Sequence, residues 1–233
     1  MTFDTLDLSP ELLRATTDLG FSEPMPVQQE VIPYLSSHRG DLIALSKTGS
    51  GKTAAYGLPL LERIVQAKGS APCGLILTPT RELAIQVQSD LVALAKYTSV
   101  RQILALYGGA SIEEQIRQLA KGYHIIVATP GRLCDLLRRK ALKLRKVSVV
   151  VLDEADVMLD MGFQRDLQEI LQAVPQQVEH WLFSATMSRE VREIADNYIS
   201  NAHEVQIGAL NKANADIKHL YVAVPARHKY AAL

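Results

Sequence analysis

Val147-Ser148-Val149-Val150-Val151-Leu152-Asp153-Glu154-Ala155-Asp156 is the stretch on which the fold turns. A nearly continuous apolar run ends in a cluster of acids. Such a run, with no alternation of polar residues, reads as a strand covered on both faces, as in a parallel sheet. Ligands of open parallel sheets bind at the carboxyl ends of the strands, and Asp153 and Glu154 fall there. Acids at that position suit a hydrated Mg²⁺ and a polarised water, the requirements of nucleoside-triphosphate chemistry. Asp153 is expected to hold the metal, directly or through water, and Glu154 to act as general base on the attacking water. Asp156 reads as a structural acid tied to a neighbouring segment. Glu154 and Asp156 would also suit the first turn of a helix, where acids meet the positive end of the dipole.

A metal-and-water site of this kind needs a phosphate cradle, and Ser46-Lys47-Thr48-Gly49-Ser50-Gly51-Lys52-Thr53 provides one. It follows the apolar run Leu42-Ile43-Ala44-Leu45 and precedes a helical pattern, the context a phosphate loop requires. Glycines let the backbone curl so that its N–H groups point inward, and the start of the helix adds a dipole favourable to anions. Lys52 is expected to reach the β- and γ-phosphates, and the Thr53 hydroxyl to bind Mg²⁺ beside Asp153. Ser46 stands where the pattern normally has glycine and is still small, and Lys47 reads as a solvated charge.

Further strand-like runs recur at Gly74-Leu75-Ile76-Leu77, Ile103-Leu104-Ala105-Leu106, Ile125-Ile126-Val127-Ala128 and Trp181-Leu182-Phe183. Between them lie amphipathic segments, one with Leu83, Val87, Leu91 and Leu94 on a face, another with Phe163, Leu167, Ile170, Leu171 and Val174. Alternation of strands and helices predicts an α/β fold with a mostly parallel twisted sheet and helices on both faces. Residues 1–40 read as a helical preface: Ser9-Pro10-Glu11 opens a helix, Gly20 closes it, and Pro24 and Pro26 turn the chain into a second helix. Residues 41–208 form the sheet domain. Residues 209–233 are expected to be a linker, one more strand over His219 to Val224, and the beginning of a second domain.

The chain has 233 residues, 48% of them hydrophobic, with 25 basic against 25 acidic side chains. That is ample for a core, and the balance excludes a nucleic-acid reader that works through a global positive field. Cys73 and Cys134 fit neither a metal spacing nor a disulfide framework, and both read as buried thiols. The absence of a long apolar run or a leader-like start sets the expectation of a cytoplasmic protein with no membrane partner.

Taken with the ordered segments that follow, the phosphate loop and the acids make this sequence resemble the N-terminal, RecA-like half of the DEAD-box RNA helicases, from Phe3 to about Val224. Gly20-Phe21-Ser22-Glu23-Pro24-Met25-Pro26-Val27-Gln28 resembles the family's Q motif. The resemblance implies that Gln28 pairs with adenine through a donor and an acceptor, favouring ATP over GTP, and that Phe3 stacks on the base. Phe3 would serve equally as a core aromatic. Pro79-Thr80-Arg81 resembles motif Ia, Gly108-Gly109 the GG segment, and Thr129-Pro130-Gly131-Arg132 motif Ib. These imply contacts to the phosphates and sugars of RNA, which position a strand without reading its sequence. Ser184-Ala185-Thr186 resembles motif III, which implies a coupling role for Ser184 and Thr186 through Asp156.

Three positions depart from common family usage: Ser46, Lys47 and Val157. The His-Arg-x-x-Arg-x-x-Arg pattern that supplies the family's arginine finger does not occur in this sequence. The resemblance therefore implies an ATP-dependent RNA helicase whose first lobe this is. ATP and Mg²⁺ would be its ligands, and RNA and a second RecA-like lobe its partners. The expected state is a monomer, nearly inactive without the second lobe. Two rivals stand beside it: an ATP-gated RNA clamp or protein-binding platform without catalysis, and a DNA-translocating ATPase. Intact Lys52, Asp153 and Glu154 weigh against the first, and the Gln28 segment with the Asp-Glu-Ala-Asp form of the acids against the second.

Overall fold

The computed structural model describes residues 2–67, 73–208 and 224. Among these, seven strands form one sheet: β1 Leu42–Leu45, β2 Cys73–Leu77, β3 Ile103–Leu106, β4 Ile125–Ala128, β5 Val147–Asp153, β6 Glu179–Ser184 and β7 His203–Gln206. Their order is β3-β4-β2-β5-β6-β1-β7, and every neighbouring pair is parallel. Strand β5 lies at the centre with Val149 to Asp153 all buried, which is why its sequence shows no alternation. The helices are α1 Pro10–Asp18, α2 Pro26–Ser37, α3 Lys52–Gln66, α4 Arg81–Leu94, α5 Ile112–Ala120, α6 Pro130–Arg138, α7 Ala155–Asp160, α8 Gln164–Ala173 and α9 Arg189–Tyr198.

Each sheet face carries its own core. Leu42, Ala44, Ile76, Val127, Val149, Val151, Trp181 and Phe183 point to one side, against α2, α3 and α4. Ile43, Leu45, Leu75, Ile126, Val150, Leu152 and Leu182 point to the other, against α6, α8 and α9. Phe3, Leu6, Leu12, Val27, Val31 and Leu35 of the preface are buried in the first of these clusters, so α1 and α2 share the sheet's core. Cys134 lies in the second, free and buried, where burial pushes its thiol up to about 12.

Two features differ from the sequence expectation. Strand β7 does not announce itself, because His203-Glu204-Val205-Gln206 buries only Val205 and sits at the sheet edge beside β1. An edge strand with a solvated outer side needs little apolar character. Ser9 does not cap α1 with its side chain; Pro10 begins the helix, and the Ser9 N–H donates to Glu62 Oε2 at 2.9 Å. Gly20 does close α1 with a positive φ of 75°, while the Phe21 N–H returns to the Thr16 carbonyl. Apart from Val224, the expected linker and strand beyond Gly208 lie outside the described residues.

Candidate nucleotide and nucleic-acid site

Because all the strands run one way, their carboxyl ends line one edge of the sheet, and the sheet order divides that edge. Strands β5, β6 and β1 are contiguous and deliver Asp153, Ser184 and the phosphate loop. Strands β3, β4 and β2 are contiguous and deliver Gly108, Thr129 and Thr80.

The phosphate loop leaves β1 with the Ser46 N–H bonded to the Ser184 carbonyl, and enters α3 at Lys52. Gly49 and Gly51 have positive φ, 76° and 85°, the curl that only glycine adopts without strain. A Cβ on Gly51 would lie 2.5 Å from Gln28 Nε2 and 2.7 Å from Met25 Sδ, so a side chain there would have to displace the Gln28 amide and the Met25 thioether. Ser46 is buried, and its hydroxyl accepts from Ser50 Oγ at 3.0 Å. Thr48 lines the adjoining cavity. Lys52 is 6% exposed, and its ammonium donates to the Ser46 carbonyl at 3.3 Å, folded back across the loop mouth.

Asp153 is 3% exposed at the end of β5. Its Oδ2 accepts from the Tyr56 phenol at 2.9 Å, while its Oδ1 is buried with no partner. Burial raises its carboxyl to about 6, with Glu154 adding to the rise and Lys52 and Tyr56 opposing it. A buried carboxylate oxygen without a partner is unfavourable, and a cation is the group that would satisfy it. Glu154 follows in a left-handed conformation, φ 54° and ψ 51°, which turns the chain from β5 into α7 and is uncommon for a residue with a Cβ. Asp156 is buried: its Oδ2 accepts from Thr186 N at 3.0 Å and Thr186 Oγ1 at 2.9 Å, and its N–H donates to Ser184 Oγ at 3.3 Å. The acids and the Ser184-Ala185-Thr186 segment are thus directly joined.

Gln28 is 4% exposed, and both ends of its amide are engaged. Oε1 accepts from Met25 N at 2.9 Å, closing the first turn of α2, and Nε2 donates to the Gly51 carbonyl at 3.0 Å. One N–H and one lone pair of the amide remain for a ligand. A cavity of about 680 Å³ runs between these parts, with Phe21, Gln28, Lys52, Asp90, Asp153 and Glu154 among its walls. Phe3 also lines it, buried, with its ring centroid 5.8 Å from that of Phe21. Among the described residues no arginine lines it.

At the other half of the edge the three loops brace one another. Thr80 caps α4 by accepting from Leu83 N at 3.2 Å. The exposed Arg81 guanidinium lies 5.0 Å over the Tyr107 ring, beside Gly108 and Gly109. Arg132 donates to the Ala110 carbonyl at 3.0 Å and to Gln115 Oε1 at 2.7 Å, and Gln115 in turn donates to the Tyr107 carbonyl. Pro79, Thr129 and Pro130 are buried beneath, and Gly131 is partly exposed. The surface is therefore preformed, with Arg81 as its exposed cation and Arg132 as an internal brace.

The family pattern of the DEAD/DEAH box helicases matches residues 25–194. The chain belongs to that family. Two DEAD-box ATP-dependent RNA helicases named CshA are among this DEAD-box chain's relatives. The one from Bacillus cereus is 44% identical over 232 residues, 100% of this chain and 44% of the relative. The one from Streptococcus pneumoniae is 41% identical over 230 residues, 99% of this chain and 43% of the relative. The chain thus spans less than half the length of these curated relatives. A crystal structure of a DEAD box protein from the hyperthermophile Methanococcus jannaschii superposes with a TM-score of 0.84 at 39% identity, over 100% of this chain and 62% of that one. A hypothetical ATP-dependent RNA helicase from Sulfolobus tokodaii gives 0.78 at 34% identity, over 86% and 57%. The RecA-like fold expected of a DEAD-box protein is the fold this chain has. No helix among the described residues is long and apolar enough to cross a membrane.

Some parts of the site had no sequence signal of their own. Tyr56 is the clearest: in Ala54-Ala55-Tyr56-Gly57-Leu58 it reads as a core aromatic. Its place four residues after Lys52, on the helix face turned toward the acids, is the one clue. Asp90 on α4 is another, half-buried in the cavity wall, where burial raises its carboxyl.

Proposed function

We propose that this chain is the ATP- and RNA-binding lobe of an ATP-dependent RNA helicase, acting with a second RecA-like lobe. The observation that carries the reading is the convergence of Lys52, Thr53 and the orphaned Asp153 Oδ1 on one cavity whose far wall is Gln28 and Phe21. A triphosphate would lie along the loop N–H groups of residues 48–53 with Lys52 on its terminal phosphates. Mg²⁺, when bound through Thr53 and Asp153, would neutralise charge on the phosphate oxygens. Glu154 would take a proton from the attacking water. The free N–H and lone pair of Gln28 suit the adenine edge, which presents a donor beside an acceptor where guanine presents two acceptors.

RNA would lie over the Arg81, Gly108, Gly109 and Gly131 surface, held by backbone contacts. Asp156, through Thr186 and Ser184, is the bridge by which the state of the nucleotide half reaches the RNA half. Hydrolysis by the chain alone should be very slow, because the His-Arg-x-x-Arg-x-x-Arg pattern that would supply an arginine finger does not occur in this sequence. An arginine finger is worth roughly three to five orders of magnitude in related P-loop enzymes. The test is competition for a labelled adenine nucleotide with Mg²⁺ present. ATP should displace the label and GTP should not, and Gln28→Ala should remove the difference. Equal displacement by GTP refutes the adenine assignment. A tighter complex with DNA than with RNA of the same sequence refutes the RNA assignment.

A further inference from the structure

We infer that Tyr56 is a positioning residue for the cation: its phenol clamps one oxygen of Asp153 and so presents the other to the metal. This rests on the nucleotide reading above and concerns a residue outside the phosphate loop and the acids. Tyr56 is fully buried in the first turns of α3, with Phe183 of β6 edge-on at a centroid distance of 5.2 Å. A ring packed in this way cannot swing, so the phenol oxygen is a fixed point. A buried tyrosine hydroxyl needs a partner, and this one donates to Asp153 Oδ2 at 2.9 Å. The phenol thus bonds directly to one of the residues proposed to hold Mg²⁺.

With Oδ2 occupied, Asp153 has one orientation and one free oxygen, the orphaned Oδ1. A phenylalanine at position 56 would fill the same volume but leave Oδ2 unpartnered, and the carboxylate would lose its fixed rotation. Outer groups that orient a metal ligand commonly matter tenfold to a hundredfold in metal affinity.

The experiment compares wild type with Tyr56→Phe in binding a fluorescent ADP derivative, titrated with Mg²⁺ from an EDTA baseline, with thermal melting to verify folding. Tyr56→Phe should match wild type in EDTA and need roughly tenfold more Mg²⁺ for half of the metal-dependent gain. An unchanged Mg²⁺ requirement overturns the inference. So does an equal loss with and without Mg²⁺, which would mean that Tyr56 only supports the loop. A wild-type chain that binds no nucleotide under either condition overturns the nucleotide reading itself, and this inference with it.

Discussion

At the scale of single residues, Asp153 concentrates the chemistry and its cost. Its carboxyl is raised from 3.8 to about 6, chiefly by burial. For an acid raised on folding, the native state binds the extra proton. The associated stability is present below pH 3.8 and is lost as pH rises through about 6. An ionised Asp153 should therefore cost the ligand-free protein about 3 kcal/mol at pH 8. Asp153→Asn should raise the melting temperature in EDTA, by more at pH 8 than at pH 5, while abolishing Mg²⁺-dependent nucleotide binding. A variant that melts below wild type at both values would contradict this. The identities of Lys52, Thr53, Asp153 and Glu154 were legible in the sequence because each sits where a strand gives way to a loop or helix. Tyr56 was not legible: its partner lies 97 residues away, and only packing brings them together.

Among the elements, the edge formed by β1 and β7 shows what sequence patterns leave out. The strand-like runs of β1, β3 and β4 match their observed bounds, because buried parallel strands are continuously apolar. Strand β7 is held differently. Asp41, just before β1, accepts from His180 N at 2.7 Å and Ser200 N at 2.7 Å, and its own carbonyl accepts from His203 N at 3.0 Å. One residue thus fixes the starts of β6, β1 and β7. Burial pushes the Asp41 carboxyl up, but the hydrogen bonds from His180 and Ser200 outweigh it and hold the group below 3.8. Its contribution is present above 3.8 and lost as pH falls through the lower folded value. Asp41→Ala should cost about 2–4 kcal/mol at pH 7, from two bonds to a charged acceptor and the N–H groups left unpaired. Urea denaturation should show the gap to wild type closing as pH falls below 3.8; a gap independent of pH would rule out the charged clamp.

For the molecule as a whole, the preface and the sheet domain share one core, and Gln28 ties them at the site. Gln28→Ala removes the bonds to Met25 N and the Gly51 carbonyl together. We expect a stability loss of about 1–2 kcal/mol in a single unfolding transition. A separate early transition for residues 1–40 would show that the shared core does not couple them. The boundary between preface and sheet domain could be drawn from prolines and glycines; their common core could not, because Leu12 and Val31 join the buried cluster of the sheet through packing no local pattern encodes. The same topology also separates phenotypes. The carboxyl edge of the sheet carries the ligand-facing loops, while the amino edge carries Asp41, Glu179 and Arg63, whose bonds run to other groups of the protein. Damage at the amino edge should reduce how much protein a cell accumulates, leaving each surviving molecule competent. Damage at the carboxyl edge should leave abundance intact and silence the molecules that accumulate. A mutational survey scoring abundance and binding separately would sort its hits by the end of the strand on which they fall.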